Sequence, residues 1–380
     1  MNLTWTAEEV VAQISSEGSS GEVAWIDVRS EGEFLEGALP AFVNLPVLNN
    51  QERHLVGTAY KKEGQEKAIR LGHQLVGPSR EARLESWTKA VRASSRQQAG
   101  VLCWRGGLRS GISCQWLREK LGEAHVFQVR GGYKAVRRIY LHSIGRWASP
   151  KLNAGVLTGG TGSGKSRLIQ KYRNFSLDLE GLAAHRGSAF GRLVGGTPQP
   201  HQATFENHVG KKLYEFLENQ EVLAGGIRIW LEDEAPMIGD IRLPDVLLER
   251  IRSAPVVELV VPLEDRVANI IDEYIRAPIL DRGVDLATLA QHFSAAVLRI
   301  RKALGSERAA KLEQKIQFAF GRQASGNQDF SIHEDWVRFL LSEYYDPRYV
   351  YGIQKLQRPT LFRGTLNECD EYLRGLRGVR

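Results

Sequence analysis

The chain has 380 residues and a net charge of +7, with 42% hydrophobic and 25% charged residues. That length suits about two or three domains, and the apolar fraction is that of a folded protein, which excludes wholesale disorder. The charge is unevenly placed: residues 1–50 carry −7, residues 51–150 carry +12 and the remainder +2.

Three cysteines, Cys103, Cys114 and Cys369, are too few for a disulfide scaffold and lack the paired spacing of a zinc site. No run of about 18 apolar residues is long enough to span a membrane. The acidic start is unlike a secretory signal. A cytoplasmic protein without a membrane partner is therefore expected.

Short β-branched runs at residues 23–28, 42–46, 100–104 and 126–129 alternate with helical patterns over residues 1–140. This predicts an α/β domain built on a parallel sheet. Residues 141–152 lack strong periodicity and read as a linker. A second α/β pattern spans 153–275, with strands predicted at 154–158, 177–181, 227–231 and 256–261. From 276 to 380 the apolar spacing is helical, as in LATLAQHFSAAVLRIRKAL.

The first chemical motif is VLCWRGGLRSG, residues 101–111. A strand ends near Cys103, a glycine turn follows, and a helix begins. Backbone amides of such a turn form a cradle for an anion. Gly106 and Gly107 give the turn its freedom, and Ser110 adds a hydroxyl. Arg105 and Arg109 add positive charge, which favours a nucleophilic thiolate at Cys103 beside an oxyanion site. Cys114 reads as core, with a resolving thiol as its alternative, and Cys369 has no supporting feature.

The second motif is GGTGSGKS, residues 159–166. Gly159, Gly164, Lys165 and Ser166 fit a phosphate-binding loop between a strand and a helix, with Gly160, Gly162 and Ser163 completing the cradle. Lys165 supplies charge to a diphosphate and Ser166 a ligand for Mg²⁺. A nucleoside triphosphate or another diphosphate satisfies the same loop. The acidic strand end IRIWLEDE, residues 227–234, offers Glu232, Asp233 or Glu234 as a further metal ligand, Asp233 being the choice made from sequence. Two polar clusters, with Glu180, His185, Arg186 and Ser188 in one and Gln199, Gln202 and Glu206 in the other, are expected to line the phosphate pocket.

IDVRSEGEFLEGALPAFVNLPV, residues 26–47, resembles the amino-terminal half of a rhodanese domain, through Asp27, Arg29, Glu33, Phe34, Gly37, Pro40, Asn44 and Pro46. Ala38 and Ala41 depart from that pattern. The five residues between Cys103 and Arg109 also resemble the loop of phosphatases of the same fold, so fold alone does not choose the chemistry. The whole chain resembles the tRNA 2-selenouridine synthases. The resemblance extends through VGTAYKKEGQEKAIRLGHQLV (56–76), CWRGGLRSG (103–111), GGYKAVRR (131–138), GGTGSGKS (159–166), DLEGLAAHRGSAFG (178–191) and EDEAPMIG (232–239). Ala235 and Pro236 depart from the usual residues.

The resemblance implies a rhodanese-like domain followed by a P-loop NTPase-like domain with a helical extension. It implies a tRNA carrying wobble 2-thiouridine as substrate. Geranyl diphosphate would alkylate the sulfur, and selenophosphate, supplied by a partner enzyme, would replace it. Mg²⁺ is an expected ion and ATP is not required. Cys103 would either form a transient sulfur–selenium bond or position the selenium donor. Arg130, Lys134, Arg137 and Arg138 are expected at tRNA phosphates, with Lys134 and Arg138 sharing a helix face, and Trp104 is expected to stack on a base. The alternative is a rhodanese-type sulfurtransferase or phosphatase fused to a small-molecule kinase.

Overall fold

The computed structural model describes residues 3–16, 21–148, 152–219, 222, 228–325 and 329–376. Residues 149–151 of the expected linker and residue 227 of an expected strand lie outside them. The chain forms two units, Met1–Arg146 with His201–Glu218, and Trp147–Pro200 with Asn219–Arg380.

The first unit carries a five-stranded parallel sheet in the order β1-β5-β4-β2-β3. The strands are β1 (Thr4–Trp5), β2 (Val23–Asp27), β3 (Val43–Asn44), β4 (Gln98–Leu102) and β5 (Val126–Val129). All five residues of β2 are buried, as in a parallel strand covered on both faces. Trp25 pairs with Gly100 across the sheet, and its ring fills the space that a side chain at Gly100 would need. The central strand β4 ends immediately before Cys103, at the carboxyl edge where α/β sheets place their sites.

The expected linker does not begin at residue 141. One helix runs Gly132–Arg146, with Tyr133, Val136, Tyr140 and Ile144 buried at helical spacing. The helix Gln202–Glu218, expected within the phosphate-loop domain, belongs to this first unit. The backbone of Gly210 packs so closely on Tyr140 that no Cβ would fit there. Asn207 donates from Nδ2 to the Ala38 carbonyl at 2.7 Å, and the Ala38 amide donates to Thr204 Oγ1 at 2.9 Å.

The second unit has a parallel sheet in the order β12-β11-β6-β8-β7. Its strands are β6 (Ala154–Gly159), β7 (Ser176–Leu177), β8 (Ile229–Glu232), β11 (Val256–Leu259) and β12 (Thr360–Gly364). A short antiparallel pair joins β9 (Met237–Ile238) to β10 (Ile241–Arg242). The strand expected over 177–181 stops at Leu177. Asp178 accepts a hydrogen bond from the Gly181 amide at 2.7 Å and starts a helical turn, Leu179–Leu182. The carboxyl-terminal region is largely helical, around a core that includes Phe293, Leu312 and Trp336. It also returns β12 to the sheet beside β11, which its helical texture concealed.

Candidate functional site

In the first unit, Cys103 is buried and its Sγ lies 3.2 Å from Ser110 Oγ. Ser110 Oγ also reaches the Gly107 carbonyl at 3.2 Å and accepts from Gln128 Nε2 at 3.0 Å. One hydroxyl proton thus has two possible acceptors. It can turn from the Gly107 carbonyl to a thiolate at Cys103, or the thiol can donate to Ser110. Gln128 Nε2 also reaches the Gly106 and Gly107 carbonyls, at 2.9 and 3.1 Å, and so fixes the loop. Gln128 carries no motif. Its only signal in the sequence is its place near the end of β5, the strand beside β4.

The helix after the loop spans Leu108–Leu121. Its first amides have no partner within the helix, which suits an anion. Gly106 has φ +65°, and a Cβ there would lie 2.5 Å from the Val129 carbonyl. Gly107 is unlike it, with no atom within 4 Å of a Cβ. The loop's two expected charges, Arg109 and Arg105, sit in different surroundings. Arg109 donates from Nη1 and Nη2 to Glu33 at 2.5 and 3.0 Å. Against the burial that would raise it, this guanidinium holds the Glu33 carboxyl down at about 2. Arg105 is exposed. Cys114 is fully buried in the core of the unit, and that burial pushes its thiol up to about 12. Burial likewise pushes Cys369 up to about 11.

A cavity of about 460 Å³ is lined by Trp104, the residue after Cys103, and by Tyr133, Lys134, Arg137 and Arg138, with Arg29 and Glu33 among its other walls. Trp104 is 39% exposed and stacks on Tyr133 with centroids 5.1 Å apart. Behind them, the Arg29 guanidinium sits 3.9 Å from the Tyr133 ring and is fully buried against Asp27, at 2.7 Å. Lys134 and Arg138 are exposed. Arg137 is instead committed to its own unit: Nη2 pairs with Glu206 at 2.5 Å and Nη1 donates to Asn207 Oδ1 at 2.8 Å. Arg130 does not line the cavity, and its Nη2 donates to Thr4 Oγ1 at 3.1 Å. Four of the five residues expected to meet RNA are thus brought together, and one of those four is occupied structurally.

In the second unit, β6 ends in the glycine loop. Gly159, Gly162 and Gly164 have φ +156°, +81° and +85°, backbone that L side chains rarely adopt. Ser163 is buried in the loop, and a Cβ at Gly159 would lie 2.7 Å from its Oγ. Lys165 opens the helix Lys165–Lys171, and its Nζ lies 2.7 Å from the Gly159 carbonyl. Gly160 packs under the guanidinium of Arg266, which is held by Asp346 with contacts of 2.8–2.9 Å. Ser166 Oγ donates to Glu180 Oε2 at 3.0 Å, and the Glu180 amide donates to Glu232 Oε2 at 2.9 Å. Burial, then the neighbouring carboxylates, holds Glu232 and Glu234 well above the usual range.

Asp233, the metal ligand chosen from sequence, faces elsewhere. It accepts from Arg358 Nη1 and Nη2 at 3.0 and 2.7 Å and from Thr158 Oγ1 at 2.5 Å. The reason is strand alternation: Glu232 and Asp233 point to opposite sides of the strand end. Arg186 pairs with Glu273 at 2.7 Å, and its guanidinium lies 5.6 Å from the Tyr274 ring. Gln202 belongs to the first unit, where its Nε2 donates to Glu206 at 3.0 Å. Among the described residues, no three His, Cys, Asp or Glu side chains are set to hold a metal by themselves, and no helix is long and apolar enough to cross a membrane.

Fold and sites define a parallel α/β chain with a thiol loop in one unit and a phosphate-binding loop in the other. A family model described as the tRNA 2-selenouridine synthase AAA domain matches residues 152–377. Curated tRNA 2-selenouridine synthases align along nearly the whole length. That of Sulfurovum sp. (strain NBC37-1) is 38% identical over 93% of this chain and 94% of its own. That of Marinobacter nauticus is 38% identical over 93% and 94%. That of Cronobacter sakazakii is 40% identical over 93% of each. The chain belongs to the tRNA 2-selenouridine synthase family, and it is an enzyme.

Proposed function

We propose that the protein converts wobble 2-thiouridine of tRNA to 2-selenouridine in two stages, through an S-geranyl intermediate. The observation that carries this reading is the pairing of a shielded Cys103–Ser110 site with an aromatic, basic cavity that begins at Trp104, in a chain that aligns over 93% of its length with a synthase of that name. The first unit is read as rhodanese-like, supported by Cys103 at the carboxyl end of the central parallel strand.

In the first stage the thiouridine sulfur attacks C1 of geranyl diphosphate. The C–O bond breaks, diphosphate departs and the uridine N3 proton is lost. The loop Gly159–Ser166 supplies amides to the diphosphate, and Lys165, once turned from the Gly159 carbonyl, supplies charge as it develops. A divalent cation fits beside Ser166, because the buried Glu232 Oε1 has no hydrogen-bond partner. Ser166 with Glu232 or Glu180 would hold it, and it would neutralise charge on the diphosphate. ATP has no part in this stage.

In the second stage selenium of selenophosphate attacks C2, the geranyl thiol leaves, and water takes the phosphoryl group as phosphate. Alkylation has made the sulfur able to leave. A Cys103–selenium bond formed directly from selenophosphate would either leave the electron pair on phosphorus and release phosphite, or need an oxidant for phosphate to leave. Cys103 is therefore assigned to positioning the donor, with Ser110 and the first amides of Leu108–Leu121 receiving its oxyanion. Trp104 stacks the base. Lys134 and Arg138 meet RNA phosphates. Selenophosphate has to come from an enzyme that phosphorylates reduced selenium, and the site of action is cytoplasmic.

The test is mass spectrometry of nucleosides from a 2-thiouridine stem-loop treated with enzyme, geranyl diphosphate and then selenophosphate. The reading predicts S-geranyl-2-thiouridine followed by 2-selenouridine. Unchanged 2-thiouridine after both additions contradicts it.

A further inference from the structure

A second cavity of the first unit, about 640 Å³, lies on the far side of the Arg109–Glu33 pair from the aromatic pocket. Its walls are mostly apolar, including Val47, Leu48, Ile69, Val76, Ile112 and Trp116. Pockets for small organic ligands typically fall at about 300–1,000 Å³. Two helices, Asn50–Glu63 and Gln65–Val76, form one side, and the helix Leu108–Leu121 that follows the Cys103 loop forms the other.

Two glycines inside the helices line this space, and neither is required by the backbone or by a neighbour. A Cβ on Gly57 would meet no atom within 4 Å, and one on Gly72 only Val56 Cγ2 at 3.8 Å. Glycine within a helix is less stable than alanine, so the glycines keep volume open at a cost to the helices. The seam with the thiol site is short. Glu33 lines the aromatic pocket, its partner Arg109 lines the apolar cavity, and Ser110, the next residue, touches Cys103 Sγ. Leu108, half exposed, stands at the mouth.

We propose that this cavity binds the geranyl chain of S-geranyl-2-thiouridine while the base is held beside Cys103, an assignment that rests on the functional reading above. The apolar chain gives the thiol site a means to distinguish the alkylated intermediate from 2-thiouridine, and it keeps the geranyl thiol out of water as it leaves C2.

The test uses the full chain and synthetic stem-loops carrying either 2-thiouridine or S-geranyl-2-thiouridine. Wild-type protein should bind the geranylated stem-loop about tenfold or more tightly than the other. Gly57→Leu with Gly72→Leu fills the cavity and should bring that ratio close to one, whereas Gly57→Ala with Gly72→Ala should preserve it. Gly57→Leu alone, placed in open space, gives the same readout if the double variant does not fold, as judged by its thermal melt. Equal affinities in the wild type, or a preference that survives the leucines, would overturn the assignment. A wild type that prefers the geranylated stem-loop yet forms none from geranyl diphosphate would contradict the functional reading and leave the cavity's role standing.

Discussion

Arg109 places two nitrogens on the carboxylate of Glu33, 76 positions away in the chain, at 2.5 and 3.0 Å. The pair fixes the first turn of the helix that carries Ser110, so its role at the thiol is exercised through position. The Glu33 carboxyl sits near 2 in the fold, against 4.5 for a free glutamate. Its contribution to stability is therefore full above about pH 4.5 and is lost as pH falls through the folded value. Glu33→Gln should remove about 1–3 kcal/mol of stability at pH 7 and flatten the acid limb of the stability curve, as read by denaturant titration between pH 2 and 7.

Gly106 and Gly107 look equivalent in sequence and differ in structure. Gly106→Ala meets both a left-handed backbone and the Val129 carbonyl. It should cost about 2 kcal/mol or more. Gly107→Ala should cost less than about 1 kcal/mol, since its Cβ enters open space. Thermal melts of the two variants decide this, and equal losses would contradict it.

The basic residues after the loop separate in the same way. Lys134→Ala and Arg138→Ala should each lower the slope of log affinity against log salt by about one for a tRNA stem-loop. Trp104→Ala should weaken binding by about 1–3 kcal/mol with the slope unchanged. Arg137→Ala should chiefly lower the melting temperature, because its guanidinium ties Glu206 and Asn207 to their unit.

At the phosphate loop, Glu232→Gln should weaken Mg²⁺ binding measured by calorimetry with diphosphate present. Asp233→Asn should instead lower stability, since it strips Arg358, 4% exposed, of its carboxylate. Loss of Mg²⁺ affinity in Asp233→Asn at unchanged stability would reverse these roles.

Both loops were legible because each is a local pattern, in which glycines, a nucleophile or lysine, and a following helix lie within about ten residues. The helix Leu286–Leu304 was legible for the same reason, from its apolar spacing alone. What sequence did not disclose is long-range partnership. Glu33 takes Arg109 and Arg358 takes Asp233 from distant segments, and both assignments of charge changed as a result. The helix Gln202–Glu218 has amphipathic spacing that says it packs, with nothing in it to say on which unit. The edge strand β1, two residues long, is too short to carry a period, whereas β3 falls within the run expected at 42–46.

The central claim is that one chain holds two separable sites, and parallel assays of two variants test it most directly. Stem-loop geranylation and selenation of a preformed S-geranyl-2-thiouridine stem-loop are followed separately by mass spectrometry. Lys165→Ala should abolish geranylation and retain selenation, whereas Cys103→Ala should retain geranylation and lose selenation. Loss of both activities in both variants, with folding intact, would contradict the account.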